Sequence, residues 1–430
     1  MKITLICPVF PPEPAPSGVM ASQLGSRLGE DGHRVNLVVS FPSRPRGRLY
    51  EGYKRCLGRV EKQGRMQVIR SPSWLIGARR RYWSRVLENV TFGISSTFNA
   101  WRAGRPDVLI VETWPLFAVQ LGMWLGRWWR VPVLYYVQDV YPEVMEDAGI
   151  LRPGGIWSRW LRAWDRSLCL QSYKVVVISD SMRDLLRQNR RLPTERIAVI
   201  PNWVDPKELV PQDRNNAWRR EMDIDPRLFV AMFAGTMGTV SGADVLIEVA
   251  KQLHQRPDIL ILCVGEGVLK DSMIAEARRA KLTNIRFEPF QPRERLSEVQ
   301  ASADAMLLTV RKDFRDGSVP SKLISYMAAG RPIVCAAPQR SGVVKSVEAA
   351  QAGIPIPPAD STAISRAIEH LAGRPDEAQR MGRNARDYFE KNLTLDRAYG
   401  KFTELFHEAV RPWKKPEPHQ LTVEVERHRY

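Results

Sequence analysis

The 430 residues carry 64 basic and 47 acidic side chains, a net charge of +17, with 44% apolar and 26% charged residues. At about 100–200 residues per domain this length needs two or three cores, and the composition excludes wholesale disorder or a collagen-like fibre. The longest uncharged apolar-rich stretch, Thr113 to Gly126, is shorter than the ~18 residues of a spanning helix, which excludes a multispanning membrane protein.

Met1 to Pro12 has one lysine and a short apolar burst but no leader-type h-region or cleavage site, so it is expected to stay on the mature chain. Cys7, Cys56, Cys169, Cys263 and Cys335 form no CxxC or Cys/His spacing and read as reduced thiols of a cytoplasmic protein. Lys2 to Cys7 is an apolar run, Val19 to Leu28 has helical spacing, and Val35 to Val39 reads as a second buried strand. The loop Phe10 to Gly18 between the first strand and the helix is stiffened by prolines and ends in glycine. Strands follow at Val108–Val111, Val133–Val137, Val175–Ile178 and Ile197–Ile200 with helix-compatible stretches between them, the pattern of a parallel doubly wound sheet. After Pro201–Pro206 and a polar connector, Gln212 to Asp225, the pattern restarts. Strands are predicted at Leu228–Ala234, Ile259–Val264, Ile285–Phe287, Ala305–Leu308 and Ile333–Ala336. The expected fold is α/β: a Rossmann-like domain over 1–207, a second over 208–394, a helix over 395–411 packing back on the first, and a polar tail over 412–430.

Residues 1–207 hold 31 basic and 17 acidic side chains, so most of the surplus charge lies in the first half and points to an anionic partner. Ten of thirteen tryptophans fall between Trp74 and Trp164, interleaved with arginine in Arg79-Arg80-Arg81-Tyr82-Trp83, Arg127-Trp128-Trp129-Arg130 and Trp157-Ser158-Arg159-Trp160-Leu161-Arg162. Rings at headgroup level and guanidinium groups against anionic lipid suit a membrane surface; core tryptophans with solvated arginines are the alternative. The sequence has no helix-turn-helix, RNP or zinc-finger pattern, so nucleic acid is not expected as a partner.

Ligands of doubly wound sheets bind beyond the carboxyl ends of the strands. Gly235-Thr236-Met237-Gly238 follows one strand and precedes a helix expected near Ala243, a turn that lets main-chain amides approach an anion. Gly265-Glu266-Gly267 follows the next strand and suits a flat ring or ribose. A third loop, Asp313 to Lys322, leads into a helix expected over Leu323–Ala329, with Ser318 or Val319 as cap and Pro320 in the first turn. Lys322 there opposes the helix dipole, a placement that a bound diphosphate would explain. In the first half, Asp139 stands just past the end of Val133–Val137, a place for a general base or, equally, for a turn-capping carboxylate.

Taken together, the Phe10–Gly18 loop, Gly32-His33, Gln138-Asp139 followed by Tyr141-Pro142, and Val199 to Asp205 resemble the GT-B glycosyltransferases of family 4, in particular the bacterial branch that builds cell-surface polysaccharides. So do Gly235 to Gly238, Val264 to Gly267, and Pro320-Ser321-Lys322 with Tyr326 to Val334. The resemblance covers about residues 1–410. It implies two Rossmann-like domains facing across a cleft and retaining transfer of a sugar from a nucleotide-diphosphate donor, most commonly a UDP-sugar, without metal or other cofactor. Asp139 and Lys322 would be the catalytic pair. The donor would lie against Gly235, Thr236, Met237, Gly238, Gly265, Glu266, Phe290, Gln291, Ser318, Pro320, Ser321 and Ser325. The acceptor would lie between Ser17, Gly18 and Asp139. A polyprenyl-diphosphate-linked acceptor would place the enzyme on the inner face of the cell membrane. The sequence departs from the family pattern where members carry two glutamates about eight positions apart, since Gly317 and Ser325 stand there. Asp316 then becomes the candidate substitute carboxylate, and Arg311 joins Lys322 as a candidate cation. A sugar-nucleotide epimerase and a non-catalytic nucleotide-sugar-binding subunit are the rival readings.

Overall fold

The computed structural model describes residues 1–411 apart from 14, 45–47, 55, 74–81 and the side chains of 82–85. The expected tail over 412–430, Arg79, Arg80, Arg81 and the Trp83 side chain lie outside the described residues. Runs such as Val108 to Glu112 and Val133 to Val137 are buried at every position, which makes them central strands covered on both faces. The first sheet contains β1 (Lys2–Cys7), β2 (Arg34–Ser40), β3 (Arg59–Gln63), β4 (Met66–Ser71), β5 (Val108–Glu112), β6 (Val133–Val137), β7 (Lys174–Val177) and β8 (Ile197–Val199). Their order is β3-β4-β2-β1-β5-β6-β7-β8, parallel except for β3 against β4. The second sheet contains β9 (Phe229–Ala234), β10 (Ile259–Val264), β11 (Ile285–Glu288), β12 (Ala305–Thr309), β13 (Ile333–Ala336) and β14 (Gly353–Ile356). It is parallel throughout, in the order β11-β10-β9-β12-β13-β14. Strand order reverses between β1 and β5 in one sheet and between β9 and β12 in the other, so each has a crevice at those carboxyl ends.

The hairpin β3–β4 and the edge strand β14 were not expected. β3 is polar and mostly exposed, and β14 is the short Gly353-Ile354-Pro355-Ile356, so neither carries a buried apolar run. Nor is the stretch Gln212–Asp225 a loose connector. It forms the short helix Ala217–Glu221, with Trp218 and Arg219 fully buried and Arg219 donating to the carbonyls of Ser302, Asp225 and Leu228. The chain crosses between the sheets twice, side by side, where Val204 N–H donates to Leu393 O at 3.2 Å. The helix Leu395–Val410 after the second crossing buries Phe402, Leu405 and Phe406 in the core of the first sheet, and Phe402 meets Trp203 edge-on at 6.2 Å.

Candidate active site

The turn after β9 runs through Gly235 (φ +138°), and the turn after β10 through Gly265 (φ +148°) and Gly267 (φ +155°). The two turns pack against each other. A Cβ on Gly265 would lie 2.0 Å from Gly235 O, and one on Gly267 would lie 2.3 Å from Met237 O, so only glycine fits. Gly235 N–H donates to Val264 O (2.8 Å) and Met237 N–H to Glu266 O (2.9 Å), which commits these two amides to the seam. Among the described residues the amides of Thr236 and Gly238 have no such partner and remain available to an anion. The Met237 side chain is wholly buried in the core, so Met237 can meet a donor only through its main chain. The helix expected near Ala243 begins at Val245, behind a 3-10 turn at Thr239–Ser241. Glu266 is exposed and pairs with Lys270 at 2.7 Å.

Lys322 enters this seam from the helix Ser321–Ala328. Pro320 is the N-cap residue and no side chain caps the helix, so Ser318 and Val319 precede the cap and Pro320 lies one step outside the first turn. The Lys322 stem occupies the space that Gly235 leaves open: a Cβ there would lie 2.4 Å from Lys322 Cε. Its Nζ donates to Thr236 O at 3.2 Å and stands 3.8 Å from the centroid of the Phe233 ring. Burial lowers its pKa to about 7. The Tyr326 hydroxyl donates to Ala234 O and accepts from Ala234 N–H, both at 2.9 Å, tying this helix to β9. The sequence-distant glycine turn and lysine therefore form one unit: a turn with two unpartnered amides and an ammonium group held on its Thr236 carbonyl.

Other expected donor contacts are engaged elsewhere. Arg311 forms a two-pronged pair with Asp313 (2.9 and 2.6 Å). Asp316, at φ +58°, accepts from Gly342 N–H at 3.2 Å through each oxygen and so caps the helix Gly342–Ala350; burial pushes its pKa up to about 6. Ser325 Oγ donates to Lys322 O (3.0 Å), Ser321 is exposed, and Gln291 accepts from Trp218 Nε1 (3.1 Å). Phe290 is exposed beside Gln291 and can offer a ring face to a base. Gly317 is buried against the first domain, where a Cβ would lie 3.1 Å from Val144 Cγ2. Its carbonyl accepts from Val140 N–H (2.7 Å), and neighbouring Arg315 pairs with Glu146 at 3.0 Å. The glycine that stands in place of a family glutamate thus lets the β12 loop dock on the loop that carries Asp139.

On the first sheet, Asp139 is partly buried, and desolvation raises its pKa to about 6. Trp114 and Tyr141 stack at 4.6 Å on the same strand ends. Ser17 and Gly18 lie in the first turn of the helix Pro16–Glu30, which starts earlier than expected. A Cβ on Gly18 would come within 2.9 Å of Phe10 Cα, so this glycine serves close packing of helix on loop. Several buried carboxylates were missed in the sequence, Glu112 among them. Glu112 closes β5 at the switch point, and its position after four apolar residues is the same signal that marked Asp139.

Of the residues expected at a membrane, Arg127, Trp128 and Arg130 are exposed at the end of the helix Leu116–Trp129, whereas Trp129 turns partly onto the first core. No helix among the described residues is long and apolar enough to cross a membrane.

Two wound sheets facing across a cleft define the GT-B glycosyltransferase fold. Comparison with known proteins agrees. Residues 17–203 match the family described as glycosyl transferase 4-like domain, and residues 214–388 match glycosyl transferases group 1. The chain belongs to family 4 of the GT-B glycosyltransferases. It is 25% identical over 336 residues to the putative colanic acid biosynthesis glycosyl transferase WcaI of Escherichia coli K12, covering 77% of this chain and 82% of that one. It is likewise 25% identical over 300 residues to the probable glycosyltransferase WbjE of Pseudomonas aeruginosa, covering 67% and 71%. Among solved structures, sucrose-phosphate synthase from Thermosynechococcus elongatus superposes with a TM-score of 0.74 at 17% identity, covering 95% of this chain and 98% of that one. Anabaena Alr3699/HepE in complex with UDP gives 0.71 at 16% identity, covering 95% and 100%. At these identities the structural likeness speaks for the fold.

Proposed function

We propose that this glycosyltransferase moves a sugar, with retention at the anomeric carbon, from a UDP-sugar to a polyprenyl-diphosphate-linked saccharide in surface polysaccharide synthesis. The observation that carries the reading is the Lys322–Gly235 seam. The bond that breaks joins the sugar to a phosphate, and the growing charge on the leaving diphosphate needs preorganised donors, here the Thr236 and Gly238 amides and one ammonium group. The carboxylate on that seam, Glu266, is held in an ion pair with Lys270, which favours front-face substitution with the acceptor proton passing to the leaving phosphate. Asp139 then orients the acceptor hydroxyl. The diphosphate's charge is met by protein groups, and the reaction proceeds without metal. The relative named for colanic acid biosynthesis supports the polysaccharide assignment.

The lipid-linked acceptor fits the surface of the first domain. Trp101 on the helix Tyr82–Ala103, Trp124 (71% exposed) and Trp128 (78%) on Leu116–Trp129, and Trp157 and Trp160 on Ile156–Gln171 are all exposed, and Leu116–Trp129 packs against both of the other helices. Arg102, Arg127, Arg130 and Arg159 are exposed among them. Such a band suits peripheral attachment to anionic lipid on the inner membrane face.

The test is transfer from a panel of UDP-, GDP- and TDP-sugars to polyprenyl-diphosphate saccharides in EDTA, with the product anomer read by NMR. Retained configuration and undiminished rate in EDTA are expected. An inverted product, or epimerisation of the donor alone, would replace this reading.

A further inference from the structure

Glu112 is 6% exposed, and its Oε2 has no hydrogen-bond partner. It sits where strand order reverses in the first sheet, between the loop after β1 and the loop after β6 that carries Asp139. In register it lies opposite Tyr136 of β6. The adjoining loop repeats the pattern: Gln138 Oε1 accepts from Asn202 Nδ2 (3.0 Å), while Gln138 Nε2 is buried with no partner. Two polar atoms without a hydrogen-bond partner, one acidic and one donating, are therefore buried at the strand end and in the loop that carries Asp139. Desolvation followed by the charge of Asp139 raises the Glu112 pKa to about 8. The titratable and charged groups acting around it are Asp139, the Tyr136 hydroxyl, the Cys7 thiol and Arg44. Arg44 is the only cation among them, and it pairs with Glu88 at 3.4 Å. Two carboxyl groups in one poorly solvated crevice, with no cation bound between them, do not both ionise.

We propose that Glu112 and Asp139 hold one proton between them at neutral pH, with Glu112 as a buried positioning residue that keeps Asp139 ionised and aimed at the acceptor's hydroxyl. The inference rests on the sugar-transfer reading above. Asp139, the partly exposed member of the pair, then presents one negative charge that accepts a hydrogen bond from a hydroxyl and disfavours an anionic acceptor group.

Two measurements test it. The first is kcat/KM for the acceptor against pH at saturating donor, where bound diphosphate keeps Lys322 charged. Wild type should lose activity above about pH 8 as the shared proton leaves. Glu112→Gln should keep most of the neutral-pH rate and lose that alkaline limb, whereas Glu112→Leu should lower the rate about a hundredfold at every pH. An unchanged alkaline limb in Glu112→Gln overturns the proposal. The second is the infrared carbonyl band of protonated carboxyl groups in the unliganded full chain. The wild-type minus Glu112→Gln difference should show one such band at pH 7 that disappears above pH 8, with equal melting temperatures for the two proteins. No such band also overturns the proposal. Because this readout needs no substrate, failure of all donors to react would sink the functional reading and still leave the shared proton decided.

Discussion

Lys322 illustrates how one residue departs from its local preference for a reason found elsewhere in the chain. A cation in the first turn is disfavoured by the helix dipole, and burial without a carboxylate partner disfavours it further. A diphosphate reverses both costs. Lys322→Ala should lower kcat by about two orders of magnitude, in line with the loss of one oxyanion donor, while leaving the melting temperature unchanged or higher. Steady-state kinetics with circular dichroism check this. A proton linkage follows as well. Before binding, the lysine has a pKa near 7 and is increasingly neutral as pH rises; bound diphosphate holds the charged form. UDP affinity should therefore fall above pH 7, and binding at pH 8 should take up close to one proton. Calorimetry in buffers of different ionisation enthalpy reads that number, and zero uptake would show that the ammonium is not at the phosphate. The Lys322 reading came from sequence; its dependence on the missing Gly235 side chain did not, because the two are 87 positions apart.

At the scale of elements, the loop from Val140 to Asp147 matters most, since it joins Asp139 to the second domain. It is held from below by Arg190, fully buried, which donates to Tyr141 O (2.7 Å), to Glu143 (2.8 and 2.9 Å) and to Asp165 (2.7 Å). From above it is gripped by Arg315 on Glu146 and by the Val140–Gly317 bond. Burial alone would raise the Glu143 pKa, but Arg190, with help from Arg162, outweighs it and holds it at about 2. That folded value lies below the unfolded one near 4.5. The pair's stabilisation is thus complete above pH 4.5 and is lost as pH falls toward 2. Glu143→Gln should cost about 3 kcal/mol at pH 7, because it removes one of the two carboxylates paired with a buried guanidinium, and the difference from wild type should shrink steadily below pH 4.5. Urea titrations at several pH values measure it. None of this network was legible beforehand: Glu143, Asp165 and Arg190 read as ordinary helical charges until three separate elements converge. The missed hairpin β3–β4 has the opposite cause, since a polar edge strand leaves no apolar signature to read.

At the scale of the molecule, the two domains carry different chemistry. The second holds the glycine seam and Lys322; the first holds two acidic groups at its switch point and an aromatic, arginine-bearing outer face. If that face meets lipid, the protein should float with anionic vesicles and not with neutral ones, and salt should weaken the binding. The double change Trp124→Ser, Trp128→Ser should release it while leaving transfer to a water-soluble acceptor analogue intact. Equal flotation of wild type and double variant would move the contact elsewhere. The exposed residues differ in part from those the sequence singled out. Trp129 turns toward the core, and Trp124 points outward, because which side of a helix meets the sheet is fixed by packing and not by the clustering of tryptophans.

The α/β class, the restart of the pattern near residue 210 and the glycine turns are properties of short windows. Buried parallel strands must be apolar runs, and tight strand–helix turns must use glycine, so local spacing suffices to find them. The strand order that creates two switch points is a different matter, as are the pairing of Gly235 with Lys322, the diversion of Arg311 and Asp316 to other partners, and the meeting of Glu112 with Asp139. Each depends on which distant segments become neighbours and on how much water is left between them, and a linear sequence does not contain that distance or that dielectric until the chain has folded.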